Sequence, residues 1–312
     1  MMATVRNLKR KVIFMRLKHK ILIALGILLV LLCGVLFFLN NMILENFSAN
    51  RTNGAALHAD AFTEEYNPTE HSLDTGFMTT VDKGNSSGHH VFFIHGGGCV
   101  MDAVPYHTDV ICALADRGLR VTAYDYPLFP EYEYVEISEH VYQAYQELVR
   151  LYPNDTIAVY GDSAGGSLAL HLLARLRDED AANRPEKAVL VSPMLDLSMS
   201  NPEIEKYAEG DTSLSYSGTK ILAMYLAGFK DKKSPELSPL YADLHDLGDI
   251  LMFYGSREIL RPDCEKLIEK INDTEGTQME SHMAEGKLHD YVMIVDDEQS
   301  IAAFDRMAEF LN

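Results

Sequence analysis

Two glycine-rich stretches hold the residues best able to do chemistry. The first, Gly161-Asp162-Ser163-Ala164-Gly165-Gly166, follows the apolar run Ile157–Tyr160 and precedes the apolar stretch Ser167–Leu176. Strand, sharp turn and helix in that order, with G-x-S-x-G at the turn, lift a serine hydroxyl clear of a sheet as a nucleophile. Side chains at 161 and 165 would collide with neighbouring backbone in so tight a turn. Ser163 then stands at a helix N-terminus, where the dipole and free N–H groups favour developing negative charge. The second stretch, His95-Gly96-Gly97-Gly98, follows the run Val91–Ile94. Its unshielded N–H groups can supply two donors of an oxyanion hole, with the N–H of Ala164 as a third.

A serine hydroxyl needs a base, and the base needs a carboxylate to orient it. When a nucleophile elbow comes first, acid and then histidine follow in chain order. The histidines after Ser163 are His171, His245, His282 and His289. His171 falls within the helix that follows the turn. His289, in Leu288-His289-Asp290-Tyr291, falls on a loop before the apolar run Val292–Val295 and is the choice, with His282 as runner-up. For the acid, Glu258 stands just past the run Ile250–Phe253, with Asp263 as the alternative.

These residues need a scaffold, and the pattern supplies one. Short apolar runs at Val91–Ile94, Val121–Tyr124, Ile157–Tyr160, Ala188–Val191 and Ile250–Phe253 suit strands buried on both faces of a parallel sheet. Helix-like stretches at Tyr106–Arg117, Val135–Tyr152, Gly165–Arg177 and Cys264–Ile271 lie between or beyond them. The alternation predicts an α/β, doubly wound domain over residues 76–312.

Charge divides the chain differently. Seven of its 27 basic residues lie in residues 1–20, with no acid, leaving 20 against 46 acidic residues beyond residue 40, a balance of -26. An overall charge of -19 excludes a general nucleic-acid binder, because affinity for phosphate comes from clustered Lys and Arg. Between the two parts, Ile21–Leu39 carries no charge or strongly polar group. As a helix it would be about 28 Å long, close to the roughly 30 Å of a bilayer's hydrocarbon. No small-x-small cleavage site follows, so an uncleaved signal anchor is expected at 21–40. The basic segment 1–20 should stay in the cytoplasm, with a tether at 41–75 and the catalytic domain on the outer side. Four cysteines without C-x-x-C spacing point to neither a zinc site nor a disulfide framework.

The motifs His95–Gly98, Tyr126–Glu131, Gly161–Gly166, Ser192–Asp196, Ser238–Asp243, Gly255–Leu260 and His289-Asp290 together resemble the hormone-sensitive-lipase family of α/β-hydrolases, in that family's order from about residue 88 to 306. The resemblance implies a mostly parallel central sheet with helices on both faces and a helical cap. It implies Ser163 as nucleophile, Glu258 as acid, His289 as base, and Gly97, Gly98 and Ala164 as oxyanion donors. Two positions depart from the family. Cys99 replaces an aromatic residue, which would alter the wall of the acyl or alcohol pocket. Pro127 replaces an arginine, which would loosen the loop behind it. A short segment before the first strand leaves residues 197–237 to form most of a small cap.

The expected activity is hydrolysis of short-chain, acetyl-like esters through an acyl-enzyme, with no metal or cofactor. A single-pass anchor with an outward hydrolase domain is also the layout of that family's arylacetamide deacetylases, which brings amide cleavage into view. A peptidase on the same fold, which would need a large further domain, and a catalytically silent binding protein are the alternatives.

Overall fold

A computed structural model describes residues 18, 25, 28–29, 31–49, 51–86 and 88–312. The chain divides into two units, residues 1–50 and 51–312. In the first, Leu31–Ser48 form helix α1, long and apolar enough to cross a membrane by length and composition, a test that a signal sequence also passes. Apart from Lys18, the expected basic segment 1–20 lies outside the described residues. The expected span 21–40 is described only at 25, 28–29 and 31–40.

The second unit is one eight-stranded sheet with helices on both faces. Its strands are β1 (Thr69–Ser72), β2 (Phe77–Val81), β3 (His89–Ile94), β4 (Arg120–Asp125), β5 (Thr156–Asp162), β6 (Lys187–Val191), β7 (Gly248–Gly255) and β8 (Thr277–Ala284). They lie in the order β1-β2-β4-β3-β5-β6-β7-β8. The pairs β1–β2 and β2–β4 are antiparallel, and every pair from β4 to β8 is parallel. The helices are α2 (Pro105–Asp116), α3 (Tyr134–Leu151), α4 (Ala164–Asp178), α5 (Tyr216–Ala227), α6 (Arg261–Asn272) and α7 (Glu298–Leu311).

Strand side chains alternate between two cores, as a period of two requires. Phe92, Ile94, Val159, Leu190 and Met252 join α3, α4 and α6 in one apolar cluster. Val91, Phe93, Tyr160, Val189 and Leu251 join α2 and α7 in the other. This two-sided burial is why the five central strands read as continuous apolar runs. The strands β1 and β8 did not read that way because they form the sheet's edges; TEHS and TQMESHMA are largely polar and partly exposed.

The expected tether at 41–75 requires correction. Residues 41–48 continue α1. From residue 51 onward the segment belongs to the folded unit. Leu57 and Phe62 are buried with Phe77 and Val110. The Thr52 backbone N–H and hydroxyl both donate to Asp102, and β1 pairs with β2 in register from Thr69 opposite Thr80. The apolar anchors here are single residues separated by polar ones, so they produce no periodic signal.

Packing at Leu57 gives a direct check. Leu57→Ala should lower the unfolding free energy of the chain by about 3 kcal/mol in a denaturant titration, the usual result of emptying a fully buried leucine site. A residue in a solvated tether would instead shift it by less than about 0.5 kcal/mol.

Candidate active site

Five neighbouring parallel strands, β3, β5, β6, β7 and β8, each run at their carboxyl end into a segment that carries a residue of the site. In chain order these are His95, Ser163, Ser192, Glu258 and His289. Carboxyl ends of parallel strands are where α/β sheets place ligands, because the loops there converge above the sheet edge.

Ser163 occupies the turn between β5 and α4 with φ 49° and ψ −117°, a conformation a side-chain-bearing residue rarely adopts. The turn tolerates no extra atoms. A Cβ on Gly165 would lie 2.0 Å from the Ile94 carbonyl oxygen, so only glycine lets α4 start this close to β3. The Ser163 N–H donates to Val191 O at 2.8 Å and its carbonyl accepts from Met194 N–H at 2.9 Å, which ties the turn to β6 and the loop after it.

His289 Nε2 lies 3.0 Å from Ser163 Oγ, and its Nδ1 lies 2.8 Å from Glu258 Oε2. With Nδ1–H donating to the carboxylate, Nε2 is left to accept the serine hydroxyl proton. Glu258 is fully buried. Its other oxygen, Oε1, accepts from Gly255 N–H at 2.8 Å and from the Ser192 hydroxyl at 3.0 Å.

Ser192 is a partner that residue types alone did not single out. It follows β6 with φ 43°, and its hydroxyl oxygen also accepts from Asp290 N–H at 3.1 Å. One buried hydroxyl thus fixes both the acid and the loop that carries His289.

The other histidines and Asp263 lie elsewhere. His282 is on β8, with Nε2 2.6 Å from Glu280. His171, on α4, bonds the Pro235 carbonyl. His245 pairs with Asp243. Asp263 accepts from Asn201 at 2.9 Å.

The glycine loop sits against Ser163. A Cβ on Gly96 would come within 3.0 Å of Ser163 Cβ and 2.2 Å of Asp162 Oδ2. Gly97 and Gly98 have φ of 96° and 63°, and among the described residues no backbone carbonyl accepts from their N–H groups. Ala164 is the first residue of α4, so its N–H has no intrahelical acceptor. The loop is held from behind by Tyr126, whose hydroxyl donates to His95 O at 2.7 Å and whose ring stacks on His95 at 4.2 Å. Beneath it, His107 Nδ1 accepts from Val104 N–H, leaving Nε2 3.3 Å from the buried Asp162 carboxylate. Burial holds His95 neutral by pulling its imidazole down to about 4.

Cys99 does not line a pocket as its position after the glycines suggested. It is fully buried in the core cluster that holds Tyr126 and Tyr134, and burial pushes its thiol up to about 12. Over the loop lies α5, within the 197–237 segment: its Leu222 would meet a Cβ on Gly98 at 2.6 Å.

One contact had no sequence signal. Asp290 turns back through φ 53° and brings Oδ2 to 3.0 Å from His289 Nε2, the nitrogen that faces Ser163. Burial pulls the imidazole down, but the neighbouring carboxylates of Asp290 and Glu258 outweigh it and hold His289 well above the usual histidine range.

A model of the alpha/beta hydrolase fold family matches residues 91–293. An esterase of Acinetobacter venetianus is 34% identical over 184 residues, 58% of this chain and 60% of that protein. An acetyl-hydrolase of Streptomyces hygroscopicus is 31% identical over 183 residues, again 58% and 60%. The chain thus spans about 60% of the length of these relatives. Among solved structures, an esterase from the bacterial hormone-sensitive lipase family is 26% identical with a TM-score of 0.73, covering 81% of this chain and 86% of that one.

The Asp290 contact predicts a titration. Replacing the carboxylate by an amide removes a charge that favours the imidazolium, so Asp290→Asn should move the His289 titration, followed by NMR, to lower pH. An unchanged or higher midpoint would mean that Asp290 does not act on His289.

Proposed function

The chain belongs to the alpha/beta hydrolase fold family, and from that membership and the geometry of the site we propose that it is a serine carboxylesterase of the hormone-sensitive-lipase type. The observation that carries this reading is the continuous hydrogen-bond line from Ser163 Oγ through His289 to Glu258, beside a loop with free N–H groups. Esterase and acetyl-hydrolase relatives support ester hydrolysis and, within it, short acyl groups.

Ser163 Oγ attacks the ester carbonyl as His289 Nε2 takes its proton, and Glu258 holds the resulting imidazolium through Nδ1–H. Negative charge on the carbonyl oxygen is met by the N–H groups of Gly97, Gly98 and Ala164. Collapse expels the alcohol, which leaves with the proton from His289. Water then repeats the attack on the acyl-serine, giving the acid and restoring Ser163. Every proton moves between substrate, water, Ser163 and His289, so the sequence of steps calls on no cofactor. Around this core we place α1 as a membrane anchor, with the basic terminus cytoplasmic and residues 51–312 on the far side. The basic flank and the apolar length of α1 support that layout.

Hydrolysis of a 4-nitrophenyl acyl series by the full chain in detergent tests the reading. Activity should peak at acetyl or butyryl and fall about a millionfold in Ser163→Ala. Equal rates for the two proteins, or turnover confined to anilide substrates, would overturn it.

A further inference from the structure

The cap helix α5 has an outer face that the esterase reading leaves without a role. Thr219, Ala223, Leu226 and Ala227 are buried beneath it. On the outside, Lys220, Ile221 and Met224 are exposed at helical spacing. The turn that follows exposes Phe229 completely, at 111% of its reference area. Lys230, Lys232 and Lys233 come next. Four of the 20 basic residues beyond residue 40 therefore fall within residues 220–233, in a unit that is otherwise strongly acidic. Two acids share the patch, Asp231 and Glu236, the latter 3.5 Å from Lys230.

A fully exposed phenylalanine, followed in the chain by Lys230, Lys232 and Lys233, leaves its whole ring in water. The combination fits an interface that is apolar inside and anionic at its surface. The apolar ring enters the acyl chains, while the lysines extend their stems and meet phosphate. A stable protein partner would need a broader covered area, about 800 Å² on each side, than three exposed apolar side chains provide.

We propose that the outer face of α5 and the turn after it, Lys220, Ile221, Met224, Phe229, Lys230, Lys232 and Lys233, dock on an anionic lipid surface. Because Leu222 on the same helix lies against Gly98, this contact would set the site's mouth beside the bilayer. Acyl esters dissolved in lipid would reach Ser163 from there.

The chain contains no tryptophan, so Phe229→Trp gives a single reporter at the tip of the patch and Ile301→Trp, on α7, gives a control. The full chain is reconstituted into vesicles of phosphatidylcholine alone, or of phosphatidylcholine and phosphatidylglycerol in equal parts, with brominated lipid as quencher. With phosphatidylglycerol the residue-229 reporter should emit at shorter wavelength and be quenched, and the control should not. Changing all four lysines to glutamine should abolish the response, since each contributes about fivefold to affinity for an anionic surface. Hydrolysis of 4-nitrophenyl acetate in detergent should be unaffected by that change, which separates this contact from the esterase reading. A reporter at 229 that stays water-exposed in both vesicle types would overturn the proposal. So would shielding that depends on protein concentration without lipid, which would point to a second copy of the chain.

Discussion

The turn at Ser163 is the constraint around which the sheet's upper edge is built. Its backbone, at φ 49°, sits in a region that costs about 1–3 kcal/mol and persists only when surroundings over-determine it. Three neighbours do so. The start of α4 is pressed against the Ile94 carbonyl at Gly165, β6 and the loop after it bond the serine's own amide and carbonyl, and Gly96 leaves space for Ser163 Cβ. Each depends on a glycine or a main-chain bond, so the hydroxyl's position is set by backbone rather than by side-chain packing.

From that fixed oxygen the rest of the site is reached through hydrogen bonds of 2.8–3.0 Å. Glu258 is fully buried, and a buried carboxylate is tolerable only when its lone pairs are met. Here Gly255, Ser192 and His289 meet them. Asp290 adds a second negative charge beside the same imidazole. The site thereby favours the imidazolium, the form that the proposed mechanism gives His289 once it has accepted the serine proton, at some expense to its readiness as a base.

What the sequence disclosed follows from how local each feature is. Gly161–Gly166 and His95–Gly98 are contiguous, and their glycines answer to steric demands within a few residues, so position and context were readable together. The five central strands were readable because burial on both faces leaves no polar alternation. Choosing between Glu258 and Asp263 could not be done from spacing, since both follow β7 and only the fold decides which one reaches His289 Nδ1. Ser192 and Asp290 were invisible as partners because each acts through a positive-φ turn that redirects it. Residues 51–75 misled because Leu57 and Phe62 are isolated anchors in a polar stretch, and β8 because an edge strand needs few apolar residues.

The central claim is that Ser163, activated by His289 and Glu258, is the nucleophile. Its most direct test is the intact mass of the full chain after brief exposure to a fluorophosphonate, with the adduct located by peptide sequencing. The account predicts one adduct, on Ser163, forming far more slowly in Glu258→Gln because the imidazole then loses its orienting charge. An unmodified chain, an adduct on another residue, or labelling of Ser163 at an unchanged rate in Glu258→Gln would contradict it.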